Sequence, residues 1–351
     1  MRSKSASKIR LYSHHDQGVA LIMVLFIVAL CSIIVINLTY SSYLESRLSN
    51  ASIKSLQAEY LLKSTINFAR ILVKEDTSPQ VDGPADIWAK FSLGQAIPVS
   101  EYLGITEPGL NIEIEIQAEE AKIPLRGILT GDSASAKVNK KWRDAVMRYF
   151  QSLNFDQDGQ KDHTNTFPNR VFNAEELVAV LVDYMDKDSD SYQDDDFTPG
   201  VEGSLEADFF PNRRIRRIGE LQTIPGFTPL RMRQLTPTTT VFRNNRININ
   251  LANANIIKSL HEDITDAEVE LIEEFRNREE PFNNQNLRTE LTNILGEEVY
   301  NDISSMITVK SRWFQVTAKV DYGTTSYFMR SYISRSNDPN ELPRIRSVEL
   351  F

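Results

Sequence analysis

An uncharged apolar run near the amino terminus constrains this chain more than any other feature. The run extends from Val19 to Ile36 and reads VALIMVLFIVALCSIIVI. At about 1.5 Å of rise per residue, a helix of this length spans roughly 27 Å, close to the thickness of a bilayer's hydrocarbon core. The sequence therefore predicts one membrane-spanning helix over residues 19–36.

Basic residues before this run predict its orientation. Arg2, Lys4, Lys8 and Arg10 stand against a single acid, Asp16. Because positively charged flanks stay in the cytoplasm, we expect a single membrane pass with a cytoplasmic amino terminus and an exported remainder. A cleaved secretory signal and an ordinary signal anchor are the alternatives. The run is long for a signal, and no A-x-A site follows it.

The helical pattern continues beyond the predicted membrane span. Neither glycine nor proline occurs between Val19 and Thr77, and apolar residues recur at spacings of three and four. Pro79 and Gly83 then interrupt the pattern. One long helix is therefore predicted over residues 19–74, with its first half in the membrane.

Composition limits the chemistry that the chain can perform. Its net charge of −9 disfavours a general nucleic-acid binder, because phosphate recognition requires a basic face. Cys31 is the only cysteine and only four histidines occur, so neither an intrachain disulfide nor a Cys-rich zinc site can form. The sequence contains no GxSxG, GxxxxGK[ST] or HExxH motif. We therefore predict that the protein is not an enzyme. An anchored periplasmic hydrolase that uses a carboxylate pair is the catalytic alternative.

Strand patterns lie on both sides of a long helical block. Asn111–Gln117 alternates polar and apolar residues, and Ile307–Arg335 contains two alternating arms around a turn at residues 321–323. Seven segments between them are predicted helices: Lys141–Leu153, Ala174–Tyr184, Ile215–Leu221, Pro229–Gln234, Ala254–Leu260, Asp266–Arg278 and Leu287–Leu295. The predicted fold class is α+β, with a small antiparallel sheet and a large all-α segment inserted between its strands.

The segment 183–208 is an acidic loop. It contains ten acids and one base, and carboxylates at this density repel one another unless they stay solvated or share a cation. Asp186, Asp188 and Asp190 occupy positions 1, 3 and 5 of a loop similar to an EF-hand, but position 12 is Phe197 instead of glutamate. Oxygen donors without His or Cys favour Ca²⁺ over zinc or copper. The alternative is a solvated loop, loosely paired with Arg213, Arg214, Arg216 and Arg217.

Two further segments admit a binding interpretation. A shorter DxDG at Asp156 and Asp158 is more typical of a plain turn than of a metal site. Glu220–Leu235 and Ile247–Phe282 resemble helix-hairpin-helix modules, in which hairpin glycines let backbone amides reach phosphate. The second hairpin, residues 261–265, has no glycine and two acids, so we predict packing modules and no nucleic-acid partner. A membrane-anchored DNA receptor of a competence system is the alternative function.

The amino-terminal segment resembles the leader of type IV prepilin-like proteins. A short basic leader ends at Gly18, and the apolar helix after it stays on the protein. The segment QGVALIMVLFIVAL is similar to that of the K-type minor pseudopilins of type II secretion systems, the GspK family. The resemblance implies that the prepilin peptidase cuts between Gly18 and Val19 and that the new amino terminus is methylated.

Met23 supports the same resemblance. Most pilins and pseudopilins carry glutamate five residues after the cut, and the K-type subunits lack it. A glutamate in the bilayer core is costly unless it is paired, and in the family its implied partner is the amino terminus of a neighbouring subunit. The resemblance therefore implies that a subunit with Met23 occupies the filament tip. In the simpler interpretation Met23 is only a lipid-facing apolar residue.

Downstream motifs extend the resemblance over nearly the whole chain. Asp183-Tyr184-Met185-Asp186, Glu220–Thr228 and Ile247–Ala252 match segments found in K-type subunits. One segment departs from the family, because residues 118–127 read AEEAKIPLRG where relatives commonly have a DE.GKINLN pattern. The role of that segment in relatives cannot be transferred to this chain.

The family's domain plan can be laid over this sequence. It implies a leader at 1–18, a helix at 19–74, an α/β core from 75–124 and 306–351, and an inserted helical domain at 125–305. It also implies bound Ca²⁺, for which the candidate ligands are Asp183, Asp186, Asp188, Asp190, Asp194, Asp196, Glu206 and Asp208.

The implied function is to cap the tip of the type II secretion pseudopilus and to initiate its assembly. The implied partners are the I- and J-type minor pseudopilins, the major pseudopilin filament and the prepilin peptidase. The filament would then serve the secretion of folded proteins across the outer membrane.

Overall fold

The computed structural model describes residues 14–76, 78–91, 97–98, 104, 109–131, 137–206, 208–242, 245–336, 338 and 340–350, with side chains from residue 18 onward except at residues 97–98. The basic leader residues Arg2, Lys4, Lys8 and Arg10 and the side chain of Asp16 lie outside this description. Contacts divide the chain into two units, residues 1–60 and residues 61–351.

Helix α1 extends from His14 to Lys74, which confirms the expected long amino-terminal helix. It begins five residues before Val19, so the end of the predicted leader is helical too. An 18-residue window of α1 has a mean hydropathy of 3.4, and none of that window is buried within the chain. Helix α1 is thus long and apolar enough to serve as a single-pass membrane anchor.

The described strands of the main sheet are all antiparallel. They are β1 (Ile97–Pro98), β2 (Leu110–Ala118), β3 (Trp313–Tyr322), β4 (Thr325–Ser334) and β5 (Arg344–Leu350), arranged in that order. The predicted strand at 111–117 and the predicted hairpin are both present. The turn between β3 and β4 lies at residues 323–324 and shares Gly323, which has a positive φ of 61°, with the predicted turn; Asp321 and Tyr322 belong to β3 instead.

One face of this sheet and one stripe of α1 are buried. Alternate residues of β2, β3 and β4 are almost fully inaccessible, as the pleat of a strand requires. On α1, Leu62, Ile66, Ala69 and Val73 are at most 2% exposed and follow helical spacing. The buried side chains of helix and sheet form a two-layer α/β core.

The chain between β2 and β3 is mainly helical. The α-helices described there are α2 (Lys140–Ser152), α3 (Ala174–Met185), α4 (Pro229–Leu235), α5 (Ala254–Ser259), α6 (Asp266–Arg276), α7 (Leu287–Leu295) and α8 (Glu297–Ile303). A short 3₁₀ helix spans Ala89–Phe91 before β2, and others in the block span Glu119–Ala121, Leu125–Ile128, Glu202–Ser204 and Ile218–Thr223. The last of these replaces the α-helix predicted at Ile215–Leu221.

Two-residue strands connect parts of this block. Parallel pairs join Ile123–Pro124 to Thr239–Thr240 and Ile247–Asn248 to Ile307–Thr308, and an antiparallel pair joins Leu129–Thr130 to Lys137–Val138. Helix α3 lies in the main hydrophobic cluster of the block, with ten of its twelve residues buried. Its first turn carries a capping box in which Asn173 and Glu176 satisfy each other's backbone amides.

The Ile247–Ala252 motif contributes two buried asparagines. Asn248 and Asn250 both donate from Nδ2 to the backbone oxygen of Asp82 at 3.2 Å, and both side chains are inaccessible. The Asp82 carboxylate in turn accepts the Ser311 amide at 2.6 Å and pairs with Arg335. These bonds join the helical block, the segment after α1 and the ends of the sheet strands within the single unit 61–351. The domain boundaries inside that unit stay a prediction.

Candidate functional site

The acidic loop is organised around one buried carboxylate. Asp183, near the end of α3, is fully inaccessible, and its oxygens accept the backbone amides of Tyr192 at 2.6 Å, Glu202 at 2.8 Å and Val201. Gly200 passes so closely that a Cβ atom there would lie 2.1 Å from Asp183 Oδ1. Burial raises the pKa of Asp183. Asp183 therefore closes the loop by binding its backbone.

Three buried side-chain oxygens in the described residues around Asp183 lack a hydrogen-bond partner. Among the described residues, Asp186 Oδ1, Glu202 Oε2 and Asn212 Oδ1 are buried without a hydrogen-bond partner. Burial, followed by repulsion from Asp188 and Asp183, raises the pKa of Asp186 to about 8. Burial also raises the pKa of Glu202 to about 7, with Asp183 and Asp188 adding repulsion. For Glu202, a hydrogen bond from the Asn212 side chain favours the charged form, but burial and the neighbouring carboxylates outweigh it.

This donor set suits a hard divalent cation. Ca²⁺ takes carboxylate, amide and backbone oxygens in flexible geometry, and buried polar atoms in native proteins normally have a partner. A bound cation would satisfy Asp186, Glu202 and Asn212 together and would offset the repulsion from Asp188. Glu202 and Asn212 are absent from the sequence-based ligand set. Glu202 is one of the ten acids of the loop, whereas nothing in the sequence pattern marks Asn212.

The remaining predicted ligands are placed differently. Asp194 pairs with Arg143 and Lys140 at 2.9 Å, and the hydrogen bond from Lys140 leads the interactions that lower its pKa to about 2. Four others lie on exposed parts of the loop: Asp190, Asp196, Glu206 and Asp208. Asp183, Asp186, Asp188 and Asp190 thus all contribute charge around Glu202 or Asp186, whereas Asp194 is neutralised by Arg143 and Lys140. Ca²⁺ ligation itself stays a prediction.

A second group of carboxylates is more compact, but an arginine side chain already binds it. In the described part of the chain, one group of three carboxylates, Asp76, Asp82 and Asp86, has oxygens within 4.8 Å of one another. Arg335 pairs with both Asp76 and Asp82. The guanidinium thus supplies the positive charge that a metal ion would bring.

Two of the four arginines after the acidic loop bind residues outside it. Arg213 pairs with Glu220 at 2.8 Å, and Arg214 donates to the backbone oxygen of Gly131. Arg216 and Arg217 are exposed. Arg213 and Arg214 are thus engaged outside the acidic loop, and the solvated-loop alternative stays untested.

The second DxDG has a structural role, which agrees with the plain-turn interpretation. Asp158 binds the inaccessible Arg231 through two contacts of 2.7 and 2.6 Å. Asp156 accepts the amide of Ala174 at the start of α3 at 2.8 Å. Both carboxylates are thus engaged within the fold.

The helix-hairpin-helix look-alike directs its glycine inward. Gly226 donates its amide to Asp162 Oδ1 at 3.2 Å, and a Cβ atom there would lie 2.7 Å from a Leu177 methyl carbon. Its backbone oxygen accepts from Arg231. This amide is therefore occupied inside the protein, whereas phosphate binding requires it to face solvent.

The predicted processing positions lie on the amino-terminal part of α1. Gly18, Val19 and Met23 are all exposed, and a Cβ atom at Gly18 would meet nothing within 4 Å. Cleavage between Gly18 and Val19 stays a prediction.

Comparison with known proteins identifies the fold. No protein-family model and no curated protein matches the chain. A chain in the crystal structure of the GspK-GspI-GspJ complex from the type 2 secretion system of enterotoxigenic Escherichia coli is similar, with a TM-score of 0.58 and 16% identity. This chain has the GspK pseudopilin fold. The similarity covers 86% of this chain and 99% of the solved one, so the GspK fold includes both the sheet and the helical block.

Proposed function

We propose that this chain is a minor pseudopilin of a type II secretion system. The observation that carries the proposal is the structural similarity to a chain of the GspK-GspI-GspJ complex over nearly that chain's full length. The exposed apolar part of α1 supports it, since a pseudopilin requires a membrane-spanning amino-terminal helix. The role is structural and requires no catalytic group.

Its place in the filament is the tip, and its partners are the I- and J-type minor pseudopilins. Met23 supports this placement because it removes the carboxylate that would pair with the amino terminus of the subunit ahead. The large helical block supports it as well, since its bulk would prevent another subunit from stacking above. The cap initiates filament assembly, with the anchor in the inner membrane and residues after Ile36 in the periplasm.

Intact-mass and amino-terminal analysis of the protein from its native membrane tests this proposal. We expect a chain that starts at N-methylated Val19, as prepilin-peptidase processing requires. A chain that still starts at Met1 would overturn the pseudopilin function and leave a protein with an ordinary signal anchor. Gly18→Ala should block processing, and Ala20→Gly is the matched control beyond the cut.

We also propose that the acidic loop binds a structural Ca²⁺ through Asp186, Asp188, Glu202 and Asn212. The unsatisfied buried oxygens and the raised pKa values of Asp186 and Glu202 support this site. A cation that binds only the folded state stabilises it, by about 2.7 kcal/mol at a concentration 100 times its Kd. In a chain without disulfides, the bound Ca²⁺ would act as a crosslink within the acidic loop.

Thermal unfolding with Ca²⁺ and with chelator tests the cation site. We expect Ca²⁺ to raise the Tm of the wild type and to leave Asp186→Asn unchanged. Asp196→Asn removes the same charge from an exposed position of the loop and should respond as the wild type does. An equal Ca²⁺ response in wild type and Asp186→Asn would overturn the assignment.

A further inference from the structure

Three side chains form one exposed group on α1 just beyond its apolar run. They are Tyr40, Tyr43 and Arg47, and we call them the α1 collar. At about 100° per residue, the three lie within about 60° of one another around the helix axis. Tyr40 is 66% exposed, Tyr43 is 55% exposed, and Arg47 is exposed as well. The collar is therefore one surface, which the described part of the chain leaves uncovered.

The Arg47 side chain is folded back by one turn towards the amino terminus. Its Nε atom donates to the Tyr43 hydroxyl at 2.9 Å, and its Cζ atom lies 5.1 Å from the centroid of the Tyr43 ring. Side chains of a helix lean towards its amino-terminal end, so the tyrosines of the collar lean the same way. In α1 that end carries the apolar run. The guanidinium is thus held on the side of Tyr43 that faces the membrane anchor.

Most of the hydrogen-bonding capacity of Arg47 is unused. Arginine has five N–H donors, and the described residues supply one acceptor to Arg47, the Tyr43 hydroxyl. Arg47 forms no ion pair with a described residue, and Glu45, the nearest acid in sequence, lies about 200° around the helix from Tyr43. A guanidinium in this state can bind a pair of phosphate or carboxylate oxygens through two parallel N–H bonds.

The position of the collar along α1 matches the headgroup layer of a bilayer. From Val19 to Tyr40 the helix rises about 31 Å, close to the ~30 Å thickness of a hydrocarbon core. Tyr43 follows about 4.5 Å farther along the axis. The headgroups add roughly 5–7 Å on each side of the core. The two tyrosine rings and the folded-back guanidinium therefore lie at the height of the headgroups.

The chemistry of the collar favours a lipid over a protein as its partner. A tyrosine has an apolar ring and a polar hydroxyl, so tyrosines are enriched where acyl chains meet headgroups. Phospholipid headgroups carry a phosphodiester anion, which supplies the oxygen pair that the guanidinium can bind. A carboxylate of another protein offers the same oxygens. The continuity of the collar with the apolar run places it against lipid.

We propose that the α1 collar binds phosphodiester headgroups at the membrane surface from which the periplasmic part of α1 emerges. Tyr40 and Tyr43 place their rings at the boundary of the acyl chains, and Arg47 binds phosphate through its Nη atoms while its Nε stays on Tyr43. This contact fixes the height of α1 in the bilayer. The inference rests on the membrane anchor of the proposed function, to which it adds a ligand and a defined depth.

The reactivity of single cysteines measures that depth. The full-length chain carrying Cys31→Ala is reconstituted alone, at high dilution, in vesicles of phosphatidylcholine and phosphatidylglycerol. Asn37→Cys and Ser41→Cys are then labelled separately with a membrane-impermeant maleimide. The two positions are about 6 Å apart along the axis, which is the thickness of one headgroup layer. We expect Ser41→Cys to react about tenfold faster than Asn37→Cys.

Removal of the collar should flatten this difference. In the combined variant Tyr40→Ala, Tyr43→Ala and Arg47→Gln, the ratio of the two rates should fall below about threefold, since the helix is no longer held at one depth. Alanine and glutamine are good helix formers, so α1 stays helical. Tyr60→Ala is the matched control, because it removes a tyrosine that is 64% exposed about 30 Å farther along α1. The control should keep the wild-type ratio.

Lipids without phosphate isolate the role of Arg47. Arg47→Gln alone should lower the ratio in phospholipid vesicles and leave it unchanged in vesicles of digalactosyldiacylglycerol. An equal effect in both lipids, or an unchanged ratio in the combined variant, would overturn the inference. A ratio that responds to the variants only after I- and J-type subunits are added would also overturn it, since the partner would then be a protein. A wild-type chain that fails to float with the vesicles would instead defeat the membrane anchor of the proposed function.

Discussion

At the scale of single residues, the acidic loop depends on one carboxylate that accepts backbone amides. Asp183 is predicted from sequence as a metal ligand, but both of its oxygens are used to hold the loop. A carboxylate in this position orders the backbone of the loop. The residues that follow it, Asp186 and Asp188, are then held near Glu202.

Replacement of Gly200 tests this closure. Gly200→Ala would place a Cβ atom within 2.4 Å of three atoms of the Asp183 carboxylate, so the loop or α3 must shift. We expect a loss of about 3 kcal/mol in the free energy of unfolding, as for an overpacked core. Gly219→Ala is the control, because a Cβ atom there meets nothing within 4 Å. Chemical denaturation measures both, and equal stability would contradict the closure.

A buried ion pair fixes the helix-hairpin-helix look-alike. Arg231 is inaccessible and donates to Asp158 and to the backbone oxygens of Phe155, Phe172 and Gly226. Asp158→Ala leaves this guanidinium without its counter-charge. We expect a loss of about 3–5 kcal/mol in the free energy of unfolding. Arg233→Ala, on the exposed side of the same helix, should change that free energy little.

Residue identity alone cannot separate these roles. Ten acids in a loop all qualify as ligands from sequence, whereas their roles depend on which backbone amides and which basic side chains fold against them. Asp194 meets Arg143 from a helix 51 positions earlier in the chain, a long-range contact without a local pattern. The sequence did identify the loop, and the packing of distant segments decides which of its oxygens stay unsatisfied.

At the scale of elements, the segment at residues 118–127, which differs from the K-type pattern, forms a buried acidic junction. Glu119 pairs with Lys122 at 2.7 Å, and Glu120 accepts the amides of Arg312 and Trp313 at 3.0 and 3.2 Å. These bonds connect the end of β2 to the start of β3. Burial dominates and raises the pKa of Glu120 to about 8, with the charge of Glu119 adding to it.

The raised pKa of Glu120 predicts a pH dependence of stability. The unfolded chain releases this proton near pH 4.5 and the folded chain near pH 8, so the stability contribution is complete below pH 4.5 and declines as the pH rises to about 8. Glu120→Gln should flatten this decline in urea unfolding between pH 5 and 8. Glu115→Gln on β2 serves as the control and should keep the wild-type slope. An unchanged slope in Glu120→Gln would contradict the assignment.

Elements with a regular pattern were predictable and irregular ones were not. The alternation in β2 and the hairpin, and the apolar spacing in α2, α3 and α7, gave those elements within a few residues. Strand β5 was missed because its bulge breaks the alternation and most of its residues are exposed. Helix α8 was missed because only Gly296 separates it from α7, and a single turn-forming residue leaves little signal in sequence.

At the scale of the whole molecule, α1 contributes to both units, and its environment differs between them. The part before residue 61 is exposed over its apolar length, whereas the part from Leu61 onward contributes a buried stripe to the core. The same continuous helix thus serves as a candidate membrane anchor and as a core element. Helical periodicity predicted the length of α1. Which part of the helix is a candidate anchor and which part belongs to the core depends on burial by segments far away in the sequence.

Truncation separates these roles. A chain that begins at Asn50 retains Leu62, Ile66, Ala69 and Val73, and we expect it to be soluble and to unfold cooperatively by circular dichroism. A chain that begins at Glu75 exposes the apolar face of the sheet and should aggregate or be degraded. Cooperative folding of the shorter chain would contradict the assignment of α1 to the core.

The bulge in β5 also has a consequence for comparisons between genes. Because Arg346 is an extra residue in one strand, an alignment with a relative that lacks the bulge would show a one-residue gap there. The aliphatic residues of β5, which are Ile345, Val348 and Leu350, are spaced by three and two in this chain, and in that relative they would be spaced by two and two. The gap would therefore distinguish two groups of genes. In one group, as here, an inserted residue keeps the three aliphatic side chains on one face of the strand. In the other group, a spacing of two residues does so without an insertion.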